Sequence, residues 1–117
     1  MNIESLRKYC LSKKGATESF PFDEVTLVFK VMNKMFALTN LDGELSINLK
    51  CDPEKAIALR EQYLFVLPGY HMNKAHWNTI EITNSVPDKL LEEWIDDSYN
   101  LIVGSLTRKQ QEELKNS

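Results

Sequence analysis

The residues best suited to chemistry in this 117-residue chain crowd into one stretch, Pro68-Gly69-Tyr70-His71-Met72-Asn73-Lys74-Ala75-His76-Trp77-Asn78. Both histidines of the chain are there, with one of its two tryptophans. Imidazoles titrate near neutral pH and suit acid–base work. Lys74 is a point charge for phosphate, Asn73 offers amide donors and acceptors, and Tyr70 and Trp77 offer faces for stacking. Catalysis needs more than this. No carboxylate lies close in sequence to orient a histidine, and nothing identifies a nucleophile. His71 and His76 are five residues apart, not the i, i+4 spacing of a helical metal pair, and no third ligand is near. Ser98 falls on an apolar helical stripe, where a satisfied helical hydroxyl is expected rather than a nucleophile. There is no glycine-rich phosphate loop. The reading is therefore a non-enzymatic protein with no metal and no cofactor, whose 68–78 stretch is a binding loop on a rigid scaffold.

The scaffold is legible in the periodicity. Ile3, Leu6 and Cys10 predict an amphipathic helix over residues 2–14, stopped by Gly15. Residues 25–50 switch to a period of two. Leu27, Phe29 and Val31, then Phe36 and Leu38, then Leu45, Ile47 and Leu49 predict three antiparallel strands with turns at Asn33 and Asp42-Gly43. Asp52-Pro53 opens a helix with Ala56, Leu59 and Tyr63 inward and Ile57 beside them. Leu64–Leu67 is a short strand and Trp77–Thr83 another, with Ile80 and Ile82 on its buried side. Ser85-Val86-Pro87-Asp88 resembles a capping box before a long helix ending near Gly104. Thr107-Arg108-Lys109-Gln110 is a second such box, opening a short terminal helix. The order α, antiparallel β, α, β, α, α predicts an α+β fold in one domain, residues 1–117: a single antiparallel sheet with helices packed on one face.

By the same alternation Lys30, Lys50 and Trp77 lie opposite the apolar residues of their strands. Lys34 sits at a turn, and His71 and Lys74 lie in the loop. A basic, aromatic surface of Lys30, Lys34, Lys50, Tyr70, His71, Asn73, Lys74, His76 and Trp77 is thus expected on the outer face of the sheet. It would suit DNA, with lysines on phosphates and Trp77 and Tyr70 stacked on bases. The plainer alternative makes Trp77 and Tyr70 core aromatics and leaves the lysines solvated.

Composition bounds these readings. Hydrophobic residues are 43% and charged residues 26%, with a formal net charge of −3. That excludes a protein attracted to nucleic acid by its whole surface. Residues 84–106 alone carry five acidic groups against one basic. Glu92, Glu93, Asp96 and Asp97 in that segment could dock a basic protein. No run approaches the roughly 18 apolar residues of a membrane span. The first residues have no apolar signal segment, and Cys10 and Cys51 form no CxxC pair, so a cytoplasmic monomer is expected.

The chain also resembles the MmcQ/YjbR family of small bacterial proteins. The resemblance rests on Gly69-Tyr70-His71-Met72-Asn73-Lys74-Ala75-His76-Trp77. Phe20-Pro21-Phe22 after Gly15-Ala16-Thr17-Glu18, Lys34-Met35-Phe36-Ala37, Leu49-Lys50-Cys51-Asp52-Pro53-Glu54 and Asp97-Ser98-Tyr99 support it. It implies a CyaY-like (frataxin-like) fold described as a double wing, and DNA binding. Frataxin-type iron binding would need an acidic first helix. Here that helix carries Glu4 among Arg7, Lys8, Lys13 and Lys14. The alternative function is a protein- or small-molecule-interaction module that does not bind DNA.

Overall fold

A computed structural model describes residues 1–117. Ten elements follow in chain order: α1 (Ile3–Leu11), β1 (Ala16–Ser19), β2 (Thr26–Val31), β3 (Lys34–Asn40), β4 (Ser46–Lys50), α2 (Pro53–Gln62), β5 (Val66–Pro68), β6 (Trp77–Glu81), α3 (Asp88–Ser105) and α4 (Arg108–Lys115). The strands form one six-stranded antiparallel sheet in the order β1-β2-β3-β4-β6-β5. The α+β reading with a single antiparallel sheet holds.

Each boundary has a local cause. Asn2 caps α1 by accepting from the Ser5 amide at 2.8 Å, while Ser5 Oγ accepts from the Asn2 amide at 3.0 Å. Beyond the helix, Gly15 takes φ 72°, a left-handed turn that glycine enters without strain. Met32 and Asn33, with φ 49° and 65°, make the two-residue turn between β2 and β3. Asp52 caps α2 through the Lys55 amide, and Thr107 and Gln110 form the expected box on α4. The box expected at Ser85–Asp88 does not form. Pro87 is the cap residue of α3 and has no side-chain hydrogen bond. Asp88 Oδ1 instead accepts from the Met1 ammonium at 2.9 Å. Strand β1 was not anticipated. The strand expected at Leu64–Leu67 begins only at Val66, and Leu64 is 97% exposed.

One core of eighteen buried residues fills the space between the sheet and the helices. Leu27, Phe29 and Val31 of β2 and Ile47 and Leu49 of β4 meet Leu6 and Cys10 of α1, Leu91, Trp94, Ile95 and Ile102 of α3, and Leu114 of α4. Leu59 of α2 packs against the same cluster, so all four helices cover one face. A bulge between Phe29 and Lys30 turns Phe36 into this core, where it meets the Tyr99 ring edge-on at 5.3 Å. Ser98, fully buried, donates to the Phe36 carbonyl at 2.6 Å and accepts from the Lys50 amide at 2.9 Å. It fastens α3 across β3 and β4. No helix is long and apolar enough to cross a membrane.

Candidate functional site

The outer face of the sheet carries no helix. Two chemically different regions share it. At one end a small second cluster of Val28, Leu38 and Trp77, with Met35 and Met72 against it, closes over the strands. Trp77 is 9% exposed, so its indole belongs to this cluster and no face is open for a base. The plainer alternative for this residue is the one observed. Tyr70 is the opposite case, at 69% exposure.

The loop from Gly69 to His76 is held by its own side chains. Lys74 Nζ donates to the Gly69 carbonyl at 2.9 Å, and Arg60 donates to the Lys74 carbonyl at 3.0 Å. Asn73 Oδ1 accepts from the Ala75 amide at 2.9 Å, and its carbonyl accepts from the His76 and Trp77 amides. Gly69 has to be small. A Cβ there would stand 2.8 Å from the Trp77 carbonyl oxygen and 2.9 Å from Trp77 Cβ. His71 adopts φ 58° and lays its ring 4.1 Å from that of Tyr70. His76 is exposed on the far side of the turn, and neither imidazole is bonded to a carboxylate or a nucleophile.

The expected basic residues do not gather in one patch. Lys30 and Lys50 lie on the outer face, Lys30 opposite Met35 and Lys50 opposite Trp77. Lys34 is opposite Val31, whose side chain is in the core, and its ammonium approaches the Ser105 carbonyl beyond the other face. Lys74 is occupied within its loop. The acidic helix is likewise partly engaged: Asp96 pairs with Lys13, and Asp97 with Lys55 at 2.8 Å.

Beside the Trp77 cluster the sheet forms the floor of an open groove of about 1210 Å³. Its floor is Leu38, Ser46, Asn48, Thr79 and Glu81; Phe22 and Asp23 wall one side, Leu67, Tyr70 and His71 the other, and Glu44 lies at an end. The floor positions the wall. Thr79 Oγ1 donates to Asn48 Oδ1 and accepts from the Tyr70 amide at 2.9 Å, while Asn48 Nδ2 donates to the Tyr70 carbonyl at 3.4 Å. Opposite, Asp23 accepts from the Val25 and Thr26 amides at 2.9 and 2.6 Å and from the Thr26 hydroxyl at 3.0 Å. Those bonds, the Thr26 amide first, lower its pKa below the ordinary carboxylate value. Glu44 and Glu81 have no cationic partner. No lysine or arginine lines the groove, although the chain has fourteen.

Sequence reasoning picked out Tyr70 and His71 but missed Asp23, Glu44 and Glu81. They are scattered along the chain and carry no motif. The alternation that puts Ile80 inward puts Glu81 outward, and was the one available signal.

A family model described as YjbR matches residues 11–101. "Uncharacterized protein YjbR" of Escherichia coli (strain K12) is 35% identical over 111 residues, 94% of each chain. "Uncharacterized protein YbdF" of Escherichia coli O157:H7 is 34% identical, covering 96% of this chain and 93% of its own. Among solved structures, Deinococcus radiodurans protein DR2400, described with a DUF419 domain, superposes with a TM-score of 0.91 at 39% identity, over 97% of this chain and 88% of that one. A Pseudomonas syringae protein gives 0.76 at 28% identity, over 86% of this chain and 98% of that one. With the family model spanning most of the chain and these relatives aligned nearly end to end, the chain belongs to the YjbR family.

Proposed function

We propose that this protein is a non-enzymatic binding module that takes its ligand in the outer-face groove. The observation that carries the reading is the groove itself: about 1210 Å³, with exposed aromatic walls over a floor of amide and hydroxyl groups. Tyr70 is bonded to that floor through both its amide and its carbonyl, so the wall is formed before any ligand arrives. Catalysis has less to stand on. Ser98 is buried with its hydroxyl both donating and accepting, and neither histidine is oriented by a carboxylate.

DNA binding is the second reading, and one observation favours it. Lys30 and Lys50 both lie on the outer face without an acidic partner. Two phosphate contacts at about −0.9 each would give a log–log salt slope near −1.8. Three carboxylates on the same face oppose that use. The order of helix, antiparallel meander and closing helix is compatible with a CyaY-like assignment, which belongs with this proposal. So does a cytoplasmic setting, supported by two free buried thiols.

The test is amide chemical-shift mapping on labelled protein against a set of small metabolites and, separately, a mixed-sequence DNA duplex at low salt. Shifts at Thr26, Tyr70 and Thr79 with a small molecule support the groove. Shifts confined to Lys30 and Lys50 with DNA, having the salt slope above, replace it with the second reading.

A further inference from the structure

We infer that the groove selects an organic cation: an amine or guanidinium carried on an apolar body. This rests on the groove being the binding site, and adds the charge and shape of what it accepts.

The lining is asymmetric. Asp23, Glu44 and Glu81 give it three carboxylates, and the chain's lysines and arginines are all elsewhere. The asymmetry is local, because the whole chain is only −3. Asp23 is held in place as an anion by its loop amides, and Glu44 and Glu81 have no partner of their own. An anionic ligand would meet uncompensated repulsion there, whereas a cation would pair with Glu44 or Glu81, the two groove carboxylates without a partner.

The walls specify the rest of the ligand. Phe22 is 63% exposed and Tyr70 69%, and His71 lies against the Tyr70 ring. Aromatic faces attract a cation and cover an apolar body at once. A bare metal ion would use neither wall, and no group of three or more metal-ligating side chains converges anywhere in the molecule. Inorganic cations are therefore a poor match, and a phosphate-bearing ligand a worse one.

The experiment uses the full chain and three matched probes: phenethylamine, its neutral counterpart phenethyl alcohol, and the anion phenylpropionate, with agmatine as a guanidinium. Binding is read from amide shifts at Thr26, Tyr70 and Thr79. The two cations are expected to shift these amides, and the alcohol and the acid are not. Glu81→Gln and Glu44→Gln, both at exposed positions, are expected to weaken phenethylamine about threefold each and about tenfold together. Unchanged thermal melting of both variants would show that the fold is intact. If the alcohol or the acid binds the groove as well as the amine does, the charge assignment is overturned while the groove remains a binding site. If no probe of any charge moves a groove amide, both are overturned.

Discussion

Trp77 and Asp23 show how a residue's surroundings, more than its type, decide what it does here. An indole in a binding loop invites a stacking role, yet Trp77 packs on Val28 and Leu38 under Met35 and Met72. Trp77→Ala is expected to lower unfolding stability by about 3–5 kcal/mol, the usual cost of emptying a buried aromatic site. Denaturant melts would measure it. A loss below about 1 kcal/mol would mean the ring is not part of a core. Asp23 is exposed yet fixed by three hydrogen bonds. Its pKa is depressed in the folded state. Its contribution is therefore present above the unfolded carboxylate value and is lost as pH falls through the folded one. Protection of the Val25 and Thr26 amides, taken relative to the intrinsic exchange rate at each pH, should fall on acidification below about pH 4. Asp23→Asn should flatten that dependence, and an unchanged profile would contradict the assignment.

At the scale of elements, Ser98 is the clearest joint. Its hydroxyl spans the Phe36 carbonyl and the Lys50 amide, so α3 and the middle of the sheet are docked through one buried polar atom. Ser98→Ala leaves both groups short of a partner and is expected to cost about 1–3 kcal/mol, read from denaturant melts; no change would show that the joint contributes nothing. The sequence made most elements readable because their apolar residues recur at helical or strand spacing, as in Leu27, Phe29 and Val31. It hid β1, since Ala-Thr-Glu-Ser has little strand preference and becomes a strand only by pairing with Val28–Val31. It misplaced the start of α3: Pro87 stays extended as a cap residue with no side-chain bond, and Asp88, expected to close the box, instead accepts from the Met1 ammonium 87 residues away, a contact no local pattern encodes. The candidate site was half legible for the same reason. Tyr70 and His71 sit in one unusual stretch, whereas the carboxylates facing them come from three separate segments that only the folded sheet assembles.

For the molecule as a whole, closure depends on the C-terminal helix. Leu114 is buried in the main core beside Gly15, and Lys14 donates to the Lys115 carbonyl at 2.6 Å. Leu114→Ala should destabilise the entire cooperative unit by about 2–5 kcal/mol, shifting every spectroscopic probe together. Separate transitions for the terminal helix and the sheet would refute that. The sheet also divides the molecule's tasks between its two sides. The helix-covered side holds the large core, while the open side presents Phe22, Glu44, Tyr70, His71 and Glu81, all exposed and none part of the main core. Phe22, Tyr70 and His71 lie in the segments that carry the family resemblance, whereas Glu44 and Glu81 lie outside them, so the charge of the open side can change at those two carboxylates without endangering the fold. Relatives at 34–39% identity would then keep one skeleton and one aromatic wall while differing in the charge beside it, and a ligand found for one of them would predict the body but not the charge of the next one's ligand.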